Sequence, residues 1–134
     1  MLPIPIQTAH NPDYEDIGGK TRIRLLVERF YHHMDALPEV RSVRAMHPAD
    51  LSGSREKLYE FMSGWLGGPP LYAQKHGQPR LRASHRRFAI GDNERDQWLL
   101  CMRRALDEVV EDSGLRERLY AKLAKLAHHI RNEV

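Results

Sequence analysis

The chain has a single cysteine, Cys101, among its 134 residues, so no disulfide can close within it. It has no C-x-x-C-H stretch, which excludes covalent c-type cofactor attachment. No eighteen consecutive apolar residues occur, so no segment is built to span a bilayer. The opening MLPIPIQTAHNPD has neither a basic start nor a long apolar run and is interrupted by Pro3, Pro5 and Pro12, unlike a secretory leader. These absences lead to the expectation of a cytoplasmic protein with an irregular extension over residues 1–12. No G-x-G-x-x-G is present, which removes the usual flavin or nicotinamide fingerprint. Charge of one sign is also scarce in excess: the net value is only +3, with 29% charged residues. The arginines are not interleaved with aromatics, so neither charge nor pattern argues for nucleic acid. Strand-like alternation is hard to find, and no internal repeat or low-complexity tract is evident.

Helical spacing is what remains, and it recurs four times. Ile23, Leu26, Val27, Phe30, Tyr31 and Met34 lie on one helical face of a segment from about Lys20 to Ala36, ended by Pro38. Gly18-Gly19 separates it from a short helix at Asp13–Ile17. Leu58, Phe61, Met62, Trp65 and Leu66 form a second stripe, entered through Ser52-Gly53-Ser54 and stopped by Gly67-Gly68-Pro69-Pro70. A third helix is capped at Asp92 or Asn93, carries Trp98, Leu99, Met102, Ala105, Leu106 and Val109, and runs to Ser113-Gly114. A fourth carries Leu115, Leu119, Leu123, Leu126 and Ile130. Four amphipathic helices predict one all-α domain over residues 1–134, with two antiparallel pairs. Both ends, Met1–Pro12 and Arg131–Val134, are expected to fray. Cys101, beside the Trp98 face, reads as a small buried hydrophobe.

Between the second and third helices lie roughly 25 residues rich in Gly, Pro and basic side chains. A loop that long in a small domain generally works or is pinned by something. It contains His85 among Arg80, Arg82, Arg86 and Arg87, just ahead of Phe88 and Ile90. A haem needs a neutral imidazole for its iron, apolar side chains against its faces and cations for its propionates. This stretch holds all three residue types, with Lys75 close by. A solvent-facing loop histidine is the plain alternative, and composition alone leaves both open. His32-His33 and His128-His129 read as surface pairs, because adjacent helical side chains point about 100° apart and do not readily share one metal.

The ordered strings YEDIGG (14–19), RFY (29–31), WLGGPPLY (65–72), GQPRLRASHRRFAI (77–90) and ERDQWLLCM (94–102) resemble the truncated haemoglobins of the second group. The likeness covers about residues 14–110 at near-regular spacing. It implies a two-over-two helical sandwich around one haem b. It places His85 as the proximal iron ligand, its other ring nitrogen donating to a backbone carbonyl. Tyr31 and Trp98 then stand as distal hydrogen-bond donors to a ligand at iron, with Leu58 on the apolar side and Ser54 where many other globins place a distal histidine. Phe30, Phe61, Met62, Tyr72, Leu81, Phe88, Ile90 and Met102 would line the haem pocket. Three positions depart from the family pattern. His47 stands where tyrosine or phenylalanine is common, and an imidazole there could donate to ligand, relay to Tyr31, or bind iron. Ser84 replaces a basic residue that contacts a propionate, which shifts that task to Lys75 or Arg82. Gln78 replaces the histidine of Gly-His-Pro.

The function implied is binding of O2, CO, NO or peroxide at haem iron. Two or three distal donors imply slow O2 release and a role in sensing or in redox detoxification of NO or peroxide. Any turnover as an enzyme would require an external reductase. No nucleic acid or membrane partner is expected, and the assembly is read as monomer or homodimer. Two other readings stand beside it. One is a haem electron-transfer protein ligated by His85 together with His47 or Tyr31. The other is a cofactor-free helical module whose basic loop, residues 75–87, docks an acidic partner or nucleic acid.

Overall fold

The computed structural model describes residues 11–132, and within them the regular structure is entirely helical. The elements are α1 (Asp13–Ile17), α2 (Gly19–Ala36), a 3-10 turn at Pro38–Val40, α3 (Arg41–Ala45), α4 (Ser52–Trp65), α5 (Leu71–His76), α6 (Leu81–His85), α7 (Asp92–Val109) and α8 (Ser113–Ile130). Helix α2 packs against both α7 and α4, and α7 packs in turn against α8. The pairs α2/α4 and α7/α8 make the two-over-two arrangement.

Helix α2 buries all six residues of its expected apolar face, with Ile23, Leu26 and Phe30 fully enclosed. Burying side chains of this size stabilises by about 1.5–3 kcal/mol each before entropy is counted. The segment starts where Gly18, at φ +109°, closes α1 and opens α2, a left-handed conformation natural only to glycine. It ends at Leu37, which is extended ahead of Pro38. Helix α4 divides its apolar residues. Tyr59, Met62 and Leu66 are buried, whereas Leu58, Phe61 and Trp65 are only half-buried against the core edge. At its end, Gly68 packs so closely on the Tyr14 ring that any Cβ would overlap it.

Several expected boundaries shift. Ser52-Gly53-Ser54 does not cap α4; the Asp50 carboxylate accepts from the Ser52 N–H at 2.9 Å and Oγ at 2.7 Å instead. Helix α7 is capped at Gly91, whose N–H donates to Glu94 at 2.9 Å, one residue before the expected start. It stops at Val109, because Asp112 caps α8 through the N–H groups of Gly114 and Leu115 and so claims Ser113-Gly114 for that helix. Between α2 and α4 the chain forms the 3-10 turn and α3. The long loop holds two short helices, α5 and α6, with Gly77 at φ +83° between them.

Of the two ends expected to fray, residues 1–10 and 133–134 lie outside the described residues. The described parts of both are anchored. Asn11 donates to the Trp65 carbonyl at 3.2 Å. Asp13, 1% exposed, accepts from Arg118 at 2.9 Å and from Lys122. Arg131 is tied to Asp92 at the start of α7, and Asn132 to the segment after α6.

Candidate functional site

His85 closes the five-residue α6, and its Nδ1 donates to the Leu81 carbonyl one turn earlier at 2.6 Å. That bond fixes the tautomer and leaves Nε2 with its lone pair for a Lewis acid. Ser84 Oγ also donates to the Leu81 carbonyl at 3.1 Å and lies 3.2 Å from His85 Nδ1. Ser84 therefore buttresses the imidazole and does not reach outward as a basic residue would. The chain then turns through a Phe88 N–H bond to the His85 carbonyl, 3.0 Å, and the Arg87 guanidinium covers the Phe88 ring at 4.9 Å.

On α2, Phe30 and Tyr31 meet edge to face with centroids 4.8 Å apart, and Phe30 lies 5.1 Å from the Trp98 ring of α7. Burial pushes the Tyr31 phenol well above its usual range, so it is a neutral donor at ordinary pH. Its hydroxyl makes one long contact, 3.4 Å to the Ser54 carbonyl. The residue at 54 thus takes part through its backbone. The Trp98 indole N–H has no acceptor among the described residues.

His47, just beyond α3, sits edge to face with Tyr31 at 5.9 Å. Its Nδ1 donates to the Val43 carbonyl at 2.9 Å, the same four-residue back-bond that His85 makes. Burial lowers its pKa despite that bond, with the charge of Arg44 acting in the same direction. His47 is therefore a neutral imidazole at ordinary pH. The segment that carries it is held by Gln97 of α7, whose Oε1 accepts from the Val43 N–H at 2.9 Å. Nothing in the local sequence singles Gln97 out, since a polar residue on a helix is ordinarily solvated.

Met62 and Met102 of the expected pocket are buried, as is Phe30, while Leu58, Phe61, Tyr72, Leu81, Phe88 and Ile90 are only half-buried. Tyr72 leans on His76 at 4.7 Å and Phe61 stacks on Trp65 at 6.2 Å. Lys75 pairs with the buried Glu60 at 2.9 Å, and Arg82 Nη1 donates to the His129 carbonyl at 3.3 Å. Each cation is thus held by the protein and keeps further donors. His33 is no free surface residue: it meets Glu108 at 3.0 Å beside Arg29. His32, His128 and His129 are exposed.

The donor set can be judged against a haem on this geometry. One oriented imidazole, a buried neutral phenol, two nearby ring donors and half-covered apolar side chains on α4, α5 and α6 are the groups such a ring requires. Neither α5 nor α6 buries a single residue of its own, so their apolar side chains are free to cover a flat ligand. The residues fit.

A two-over-two helical bundle that carries a back-bonded histidine after its fourth helix and a buried tyrosine on its second is the arrangement of the truncated haem globins. Residues 13–132 match the bacterial-like globin family. A group 2 truncated haemoglobin of Bacillus subtilis is 37% identical over 123 residues, 92% of this chain and 90% of that protein. The group II two-on-two haemoglobin of Agrobacterium tumefaciens superposes with a TM-score of 0.87 at 53% identity, covering 90% of this chain and 94% of that one. The cold-adapted truncated haemoglobin of Pseudoalteromonas haloplanktis superposes at 0.89 with 40% identity, covering 91% and 98%. The chain belongs to the bacterial-like globins, among the group II truncated haemoglobins. In general terms it is a haem-based, oxygen-binding protein, and no helix among the described residues is long and apolar enough to cross a membrane.

Proposed function

We propose that this globin takes haem b in a single domain, through His85 as the axial ligand. Tyr31, Trp98 and His47 are the polar groups opposite, and Lys75 and Arg82 are the cations for the propionates. The observation that carries this reading is the 2.6 Å bond from His85 Nδ1 to the Leu81 carbonyl, which leaves a basic, oriented Nε2. The haem iron supplies reversible binding of diatomic ligands and one-electron redox chemistry. The chain supplies orientation and protons. Tyr31, neutral and tied only by a 3.4 Å contact, can turn its hydroxyl toward a ligand, and the Trp98 indole adds a second donor. Such donors stabilise a partly negative ligand in a dry site, so slow O2 release follows. Storage, sensing, or detoxification of NO or peroxide suits that behaviour better than transport. Sustained turnover draws electrons from an external reductase, in keeping with a cytoplasmic setting.

The test is a visible spectrum of ferric and dithionite-reduced protein, with and without carbon monoxide, for the wild type and His85→Ala. The wild type is expected to show a Soret band that shifts on reduction and again with carbon monoxide. His85→Ala is expected to lose that ligation, and uptake of haem with unchanged ligation would sink the assignment. A second reading is favoured by one feature: His47, like His85, has Nδ1 donated to a carbonyl and its Nε2 uncommitted. Both imidazoles could then ligate haem in an electron-transfer protein. A six-coordinate spectrum without added ligand, lost in His47→Ala, is its mark.

A further inference from the structure

Helix α6 has five residues and buries none of them, far too short to hold an orientation by its own hydrogen bonds. Its principal neighbour is α8, and the tie is made by the residues that close that helix. Asn132 makes four hydrogen bonds to the segment running from His85 to Ile90. Its Oδ1 accepts from the Ile90 N–H at 2.9 Å, and its own N–H donates to the Ile90 carbonyl at 2.8 Å. Its Nδ2 donates to the carbonyls of Phe88 at 3.0 Å and His85 at 3.4 Å. Next to it Arg131 pairs with Asp92 at 2.5 Å, and from α6 Arg82 reaches the His129 carbonyl at 3.3 Å. Arg82 on one side and Asn132 on the other thus tie the histidine segment to the end of α8, while Arg131 holds only the start of α7.

We propose that Asn132 is a positioning residue for the axial ligand: by holding the His85, Phe88 and Ile90 backbone it sets the tilt and depth at which His85 Nε2 meets iron. The inference rests on the reading of His85 as that ligand. The chemistry asks for a carboxamide, because Oδ1 must accept from one peptide while Nδ2 donates to two others. Aspartate keeps the acceptor and loses both donors, facing the two carbonyls with negative charge. Alanine loses all three side-chain bonds. Sequence spacing offers no hint of this, since residues 47 and 44 apart in the chain are joined.

The experiment uses the full chain loaded with haem, as wild type, Asn132→Ala, Asn132→Asp and Arg131→Ala. It is run at a temperature where circular dichroism shows every variant folded. Two quantities are read: the iron–histidine stretching band of the ferrous, ligand-free protein by resonance Raman, and the rate of haem transfer to an excess of scavenging apoglobin. Asn132→Ala and Asn132→Asp are expected to shift and broaden the band and to speed haem loss on the order of tenfold, the scale of a net hydrogen bond or two. Arg131→Ala, which loosens the chain end without touching the carbonyls, is expected to leave the band in place. An unmoved band and rate in Asn132→Ala overturn the proposal, as does an Arg131→Ala variant that behaves the same way. Failure of the underlying reading is seen elsewhere: the wild type itself would then lack an iron–histidine band that His85→Ala removes.

Discussion

At the scale of single residues, burial sets the behaviour of the side chains proposed for the distal side of the site. Tyr31 is 4% exposed and spends its hydroxyl on a 3.4 Å contact, so little stability depends on it. Tyr31→Phe is therefore expected to change unfolding by less than about 1 kcal/mol, while O2 release measured by stopped flow speeds up on the order of tenfold or more. An unchanged release rate would remove Tyr31 from the list of donors. Cys101 shows burial acting on reactivity. It is fully enclosed and its thiol is pushed up to about 11, mainly by desolvation. Because the thiolate is the reactive form, a thiol reagent is expected to leave the native protein untouched and to modify it once in denaturant. Fast labelling of native protein would show that this part of α7 opens.

At the scale of elements, polar pairs join the helices that apolar faces bring together. Asp13 of α1 is held by Arg118 and Lys122 of α8, and Glu60 of α4 is held by Lys75 and His76 of α5. Between α2 and α7, Glu108 accepts from Arg29 and His33 at 2.9 and 3.0 Å. The hydrogen bond from Arg29 is the chief cause that brings its carboxyl from the ordinary 4.5 to about 2. A depressed carboxylate stabilises the fold above its unfolded-state value and loses that contribution as pH falls toward its folded one. Urea unfolding followed from pH 5 to pH 2 is thus expected to lose this contribution across that window, with Glu108→Gln flattening the slope. Because the side chain is 39% exposed, water and salt screen the pair and the effect is about 1 kcal/mol or less. An identical acid limb in the variant would mean the pair contributes nothing net.

At the scale of the whole molecule, the α2/α4 and α7/α8 pairs have a continuous core, whereas α5 and α6 bury no residue and lean on their neighbours at one edge. A haem held by His85, as proposed, would add apolar cover to that edge. A ligand that binds only the folded chain stabilises it by about 4 kcal/mol at a thousandfold excess over its Kd. The haem-loaded protein is therefore expected to melt well above the haem-free one, and hydrogen exchange is expected to slow most in residues 71–91. Equal melting temperatures would mean that the ring does not complete this edge.

Much of this architecture was legible before any coordinates. The six-residue stripe of α2 and those of α7 and α8 announce themselves because an amphipathic helix repeats locally, within a few turns of chain. The strings around Tyr31, His85 and Trp98 carried the family likeness for the same reason. What local sequence could not hold was decided by contacts between distant residues. Helices α3, α5 and α6 have five or six residues, too few for periodicity to register, and form because neighbours pin them. Ser54 contributes through its carbonyl and Gln97 holds the His47 segment, roles that side-chain type does not signal. The end expected to fray is instead tied to the backbone of the His85–Ile90 segment, because Asn132 finds its partners 42 to 47 residues away. Spacing along the chain determines which faces are apolar. Only the closed fold determines which polar groups meet across them.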